Sequence, residues 1–311
     1  MDRVFTYLVT PTKDRSNYIV DSTPIYQQKP KEKHISFAEK NNLYYFHHRK
    51  DDVSITSFNF DSHFHTVYEI FIHIGGRVKF RIDTSEFRLN PYDIIIVPPY
   101  TVHNPIPKEG EQFERYVFNI FPDFFSYMDC TEYLDAFENM PHLKYKIPGH
   151  IVQRSNISDI LTFMDNEYDR NNKFMQPMMN FKIAELLYLI NTFGHFEEAE
   201  VANNIVEEMI SYIDKNFDSI SLVQDVTDNF FYSKNYLSKL FKKTTGITIP
   251  QYINMKKMEN VEKLYKQGMS LTRACVESGF TGYNNFAYIY KTEFGVSPRK
   301  GFANAITKNR S

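Results

Sequence analysis

The sequence predicts an α+β chain of several domains. A small β-barrel with a helical hairpin comes first, and an all-α domain with two helix-turn-helix units follows. Three observations predict this. The 311 residues are enough for two cores of ordinary size. The apolar pattern alternates at every second residue between about 43 and 121, then recurs at three and four residues from about 156 onward. The charge is also divided: residues 203–311 carry 15 Lys and Arg against 10 Asp and Glu, a balance of +5, while residues 1–202 carry 21 against 28, a balance of −7. An acidic half joined to a basic half is the asymmetry of a sensor joined to a nucleic-acid binder. A basic excess this modest implies salt-sensitive affinity that two chains acting together would raise.

Composition excludes several classes. A hydrophobic fraction of 42% supports ordinary cores. Two cysteines, Cys130 and Cys275, lie in different halves, so there is no disulfide framework and a reducing cytoplasm is expected. The first ten residues contain neither a long apolar run nor a small-residue cleavage site, so no signal peptide is expected. No stretch approaches the ~18 apolar residues of a membrane span.

Residues 1–40 mix short apolar stretches with Pro11, Pro24 and Pro30 and are read as an N-terminal arm, either mobile or forming extra edge strands. Residues 41–150 form the barrel. Strands are expected at 44–46, 53–58, 68–74, 78–82, 94–97 and 116–120, punctuated by Gly75-Gly76, Asn90-Pro91 and Pro98-Pro99. Short strands with turn signals at this spacing suggest a sandwich or jelly-roll barrel. His47, His48, Arg49 and Lys50 read as a solvated loop. His63, His65 and Glu69 share one face if a single strand runs unbroken through them, and a closed barrel can bring His103 alongside. The pattern His63-x-His65-x(3)-Glu69 with a later His103 resembles the two cupin motifs, with Tyr92 where a Gly is usual. The preferred reading is a ligand pocket inside the barrel formed by His63, His65, Tyr68, Glu69 and His103, with Phe64, Tyr68 and Phe71 available to stack on a sugar. No metal is assigned, although His63, His65, Glu69 and His103 would also be a ligand set for Fe, Mn or Zn.

Residues 151–195 are read as a helical hairpin. Ile157, Ile160, Leu161, Met164 and Tyr168 recur along one helix, and Phe181, Ala184, Leu187, Tyr188 and Ile190 or Asn191 along the next. Such a pair must bury its apolar face against something. Residues 196–204 are polar, acidic and without period, and are read as a linker.

Residues 205–303 hold the two units, with 304–311 as a tail. In the first, a short helix at 222–229 leads to Ser233, a good N-cap. A second helix closes at Thr245-Gly246, with Tyr236, Leu237, Leu240 and Phe241 as its apolar stripe. A helix of about 18 residues from Ile249 connects to the second unit. There, Ser270–Ser278 and Tyr283–Phe294 are the two helices and Gly295 the stop. This region resembles the DNA-binding domain of the AraC/XylS transcription regulators. The residues that carry the resemblance are Ser233, the run 236–243, Thr245-Gly246, Tyr252-Ile253-Asn254, Lys257-Met258, Ser270-Leu271, Gly279-Phe280, Phe286 and the run 294–298. It departs at Val261 and Cys275, where Ala is usual, at Phe302-Ala303, and at Tyr288, where Arg or Lys is usual.

The resemblance implies two recognition helices in successive major grooves. Asn235, Ser238 and Lys239 would read bases and Lys234, Lys242 and Lys243 would hold phosphates. Tyr283, Asn284, Tyr288 and Lys291 are the candidates of the second helix. It further implies a cytoplasmic, ligand-responsive regulator rather than an enzyme. Its expected partners are double-stranded promoter DNA, a small-molecule effector such as a sugar, RNA polymerase and a second copy of the chain, paired through the 151–195 hairpin, with no membrane. Two other readings stand beside it: a metal-dependent cupin enzyme fused to a DNA-binding domain, and a barrel that serves only dimerisation.

Overall fold

The computed structural model describes residues 43–53, 62–139, 145–168, 175–193 and 204–306, with the backbone of short strands at 10–11, 18–19, 36–40 and 200–201. Most of the predicted arm, the predicted strand residues 54–58, the turn 170–173, most of the predicted linker and the end of the tail lie outside these residues. Among the described residues no helix is long and apolar enough to cross a membrane.

β1 (Thr10–Pro11) and β2 (Tyr18–Ile19) form a two-residue ladder. The other strands make two antiparallel sheets. They are β3 (Ser36–Lys40), β4 (Tyr44–Asp52), β5 (Tyr68–Gly75), β6 (Val78–Ile82), β7 (Ser85–Leu89), β8 (Ile94–Val97), β9 (His103–Pro107) and β10 (Gln112–Ile120), followed by β11 (Lys146–Ile147) and β12 (Glu200–Val201). The first sheet has the order β11-β8-β5-β10-β4-β3 and the second β12-β7-β6-β9. Between them lies an apolar core of Phe71, Ile95, Val97, Phe113 and Val117 from the first sheet and Val78, Phe80, Ile82, Phe87 and Leu89 from the second.

The first sheet has a second buried face. The alternate residues Tyr44, Phe46, Ile70, Ile72, Ile94, Ile96, Tyr116 and Phe118 pack on helices. These are α1 (Pro122–Tyr127), α2 (Asp135–Glu138), α3 (Gly149–Val152), α4 (Ile157–Tyr168) and α5 (Met175–Thr192). Being covered on both faces explains the runs without clean alternation, such as Ile94–Val97. It also corrects the reading of residues 47–50 as a solvated loop. They lie within β4, and His48 is buried, its Nδ1 3.2 Å from Asp165 Oδ1 on α4 and its Nε2 3.1 Å from Glu114 Oε1. The short strands β7, β9 and β11 escaped the sequence pattern; β9 contains Pro105 and Pro107 and is an edge strand, where prolines are tolerated. Glu200–Val201, within the stretch read as linker, pair with β7.

On α5 the buried apolar residues are Met179, Ile183, Leu186, Leu187 and Ile190. Phe181 and Tyr188, expected to face inward, are 61% and 52% exposed. The helix is apolar nearly all round, so periodicity alone does not choose its buried side.

The C-terminal helices are α6 (Asn204–Asn216), α7 (Val223–Thr227), α8 (Lys234–Thr245), α9 (Ile249–Lys266), α10 (Leu271–Glu277), α11 (Tyr283–Phe294) and α12 (Pro298–Ile306). Their ends follow the sequence signals. Ser233 Oγ accepts from the Tyr236 amide, Thr248 and Gln251 close a capping box, Ser270 Oγ accepts from Arg273, and Gly246 and Gly295 take left-handed conformations. Leu237, Phe241, Met258, Val261, Ala274, Cys275, Phe286 and Phe294 are buried in one cluster. Tyr236, placed in the apolar stripe by the sequence, is instead exposed and lies against Tyr232.

Candidate functional site

The histidine cluster assembles, although not on one unbroken strand. β5 begins only at Tyr68, and the chain bends at Thr66-Val67. His63 is instead held by a backbone bridge to His103, with amide–carbonyl distances of 3.1 and 2.9 Å, and the Tyr100 amide donates to the His65 carbonyl at 2.8 Å. The side chains of His63, His65 and His103 converge, their nearest ring nitrogens within 4.8 Å of one another. His65 Nδ1 donates to the Val67 carbonyl at 3.0 Å and His103 Nδ1 to the Thr101 carbonyl at 2.8 Å. The Nε2 atoms of both face Glu69 Oε2, at 3.0 and 3.6 Å.

An acceptor facing acceptors needs a proton or a cation between them. Burial by itself would raise the Glu69 carboxyl, but His103 and His65 outweigh it and hold it well below the usual carboxylate range. Burial opposes protonation of His103, yet Glu69 outweighs it and pushes that imidazole up. His65 is pulled down, chiefly by burial. The shifts at Glu69 and His103 both favour the charged forms, a carboxylate at Glu69 beside a protonated ring at His103. Three imidazoles, two of them backed by carbonyl acceptors, and one carboxylate also fit a divalent metal chemically. The ligand atoms would have to draw in from 4.8 Å toward the ~3.3 Å between neighbours around Zn.

Tyr68 does not join the cluster. Its hydroxyl donates to Glu138 on the helix side of the sheet, at 3.0 Å, and its ring packs on Phe125 and Phe137. Phe71 does face the interior, against Phe80. Phe64 points away from it altogether, edge-on to Phe294 at 6.1 Å in the C-terminal domain.

That last contact is one of a set. Alternation along 62–65 sends His63 and His65 to the barrel interior and Ser62 and Phe64 to the helical domain. Along 100–103, His103 goes inward while Tyr100 and Val102 join the C-terminal core. Ser62 lies against Gly246, the C-cap of α8, so closely that a Cβ there would meet its Oγ at 1.9 Å. Tyr100, at φ +56°, donates to Glu262 on α9 at 2.5 Å. The histidine cluster and the domain contact are thus opposite faces of the same two segments. Beside them a cleft of about 220 Å³ opens between Asp83, Tyr100 and Tyr145 of the barrel and Asp214, Tyr252 and Lys256 of α6 and α9. Burial raises the Asp83 carboxyl there to about 6, with Lys256 opposing and Asp214 adding.

The candidate DNA face is open. Lys234, Asn235, Lys239, Lys242 and Lys243 on α8 are exposed and Ser238 half-buried. On α11, Asn284 and Lys291 are exposed, Tyr288 is 74% exposed, and Tyr283 is half-buried with its ring 6.2 Å from Phe286. Lys257 has a role that spacing alone did not reveal. It is buried, and its Nζ donates to the Ile220 carbonyl at 2.7 Å and the Gly279 carbonyl at 2.8 Å, tying the two helix-turn-helix units together. The only sequence signal was a charge at an otherwise apolar position of α9.

Residues 226–303 match the helix-turn-helix domain family and residues 52–161 the AraC-like ligand binding domain family. The uncharacterized HTH-type transcriptional regulator YbfI of Bacillus subtilis (strain 168) is 19% identical over 222 residues, 71% of this chain and 79% of YbfI. The multiple antibiotic resistance protein MarA of Escherichia coli (strain K12) is 28% identical over 96 residues, 30% of this chain and 76% of MarA. The crystal structure of ToxT from Vibrio cholerae O395 aligns at 14% identity and a TM-score of 0.35, covering 86% of this chain and all of that one.

Proposed function

The chain belongs to the AraC family of DNA-binding transcription regulators, and from that premise we propose that it is a dimeric activator. In this reading it recruits RNA polymerase to an operon for catabolism of a sugar or sugar derivative when that molecule occupies the barrel. The observation that carries the ligand response is the two-sided arrangement at 62–65 and 100–103. Any shift of His63, His65 or His103 moves Phe64, Ser62, Tyr100 or Val102, and these touch α8, α9 and α11. Because they reach both units, a small displacement in the barrel becomes a change in how the two recognition helices are presented. Asn235, Ser238 and Lys239 would read bases, and Lys234, Lys242 and Lys243 would hold phosphates. On α11, Asn284, Tyr288 and Lys291 lie on the open face, and Tyr283 opens the helix beside them.

Binding of the full-length chain to duplexes from upstream of its own and neighbouring genes tests this. Affinity should fall steeply with salt, and Lys242→Ala should weaken all sequences alike and reduce the slope of log K against log salt by about 1. Salt-independent or undetectable binding at low salt would sink the regulator reading.

The convergence of three imidazoles favours one other reading, a metal-dependent cupin enzyme. His63, His65, Glu69 and His103 would hold the ion. Stoichiometric Fe, Mn or Zn in protein purified without added metal, lost in His65→Ala, would support it.

A further inference from the structure

Part of the barrel's inner wall is left unexplained by the histidine cluster. On β4, Tyr44, Phe46 and His48 face the helices, so Tyr45, His47, Arg49 and Asp51 face the interior. On β10, Tyr116 donates to Asp165 of α4, so Arg115, Val117 and Asn119 face the interior. Arg115 is 6% exposed, pairs through Nη1 with Asp51, and stacks on Phe113 at 4.4 Å. Arg49 Nη2 lies 3.3 Å from the other oxygen of Asp51. Among the described residues, His47 Nδ1 and Asn119 Oδ1 are buried with no hydrogen-bond partner, and Asn119 is 4% exposed. Orphaned polar atoms of this kind are rare in folded proteins and call for an explanation. Asn119 is in register with Glu69, so this wall continues into the histidine cluster. β4 has a strand on either side, and the inward-facing Tyr45 and His47 are half-buried.

We propose that this wall binds the carboxylate of a small hydroxylated organic acid, such as a sugar acid, through Arg115 and His47, with Asn119 accepting from a ligand hydroxyl. The proposal rests on the reading of the barrel as an effector domain and names the class of its effector. A guanidinium presents five donors in a planar fork, and Arg115 commits Nη1 to Asp51 and the Phe113 carbonyl. Its remaining donors suit a carboxylate, which accepts about twice as strongly as a neutral oxygen. Burial pulls the guanidinium down only to about 10, so it stays charged at neutral pH. His47 is pushed well below its usual range, first by burial and then by Arg115 and Arg49. It is therefore a neutral donor, and the field that keeps it neutral would repel an amine. Asn119 Oδ1 needs a donor, and a hydroxyl on the same molecule supplies one.

The test is calorimetry and thermal melting of the full chain with D-gluconate, D-glucuronate and L-lactate beside D-glucose and glycerol at equal concentration. At least one acid should raise Tm and no neutral compound should. His47→Leu and Asn119→Leu remove Nδ1 and Oδ1, which have no hydrogen-bond partner among the described residues, and in protein that still melts cooperatively they should weaken binding of the acid at least tenfold. Three results would each overturn the proposal: no acid shifts Tm, a neutral sugar shifts it equally, or both variants keep full affinity for the acid. DNA binding of the same preparation separates the two readings. DNA binding without an acid response removes this inference alone; acid binding without DNA binding removes the regulator and leaves the site.

Discussion

Glu293 is 9% exposed on α11, and burial raises its carboxyl to about 7. An acid whose folded pKa lies above its unfolded value of about 4.5 keeps its proton in the native state while the unfolded chain has already lost it. Stability therefore declines as pH rises from about 4.5 to about 7, and above that the native state carries the full cost of a buried charge, roughly 3 kcal/mol. Glu293→Gln should accordingly melt higher than the parent at pH 8, with the gap closing as pH falls toward 4.5. An equal Tm difference at both ends would show that Glu293 is not the group involved. That the side chains of Glu293 and His48 are buried was not readable, because each sits in a local sequence that also suits a surface. Neighbours from distant segments cover them.

Helix boundaries were far more legible. Ser233, Ser270 and Gly246 announce their helix ends through interactions within a few residues. Gly246 also carries information the sequence does not hold. Its φ of +85° demands glycine locally, and Ser62 of the barrel fills the space where a side chain would go. Gly268 provides the control, with φ +92° and nothing within 4 Å. Gly268→Ala should cost only the backbone term, about 1 kcal/mol. Gly246→Ala should cost clearly more by urea denaturation, and Ser62→Gly should recover part of the excess. Equal costs at the two glycines would mean that the barrel does not press on the end of α8.

At the scale of the molecule, α5 turns one side to the barrel and leaves Phe181 and Tyr188, with Met178, on the other. The same side is where a second chain would sit if the hairpin pairs two copies, each presenting its patch to the other. Phe181→Glu should then convert the dimer to a monomer in sedimentation equilibrium and flatten the dependence of DNA affinity on protein concentration. A parent chain that is already monomeric at micromolar concentration would remove pairing from the mechanism.

The sequence by itself determined the order of the two domains, most C-terminal helix ends and which histidines converge, because caps, turns and short-range motifs act over a few residues. Tertiary structure alone decided which way side chains face. Tyr68 and Tyr236 turned out opposite to expectation, and His47 and Arg49 became interior wall instead of loop. On a sheet covered on both faces, alternation no longer distinguishes inside from outside, since apolar side chains are buried on both. The link between the two domains was invisible for the same reason. Ser62, Phe64, Tyr100 and Val102 look like ordinary strand residues until the helical domain packs on the side away from the histidines.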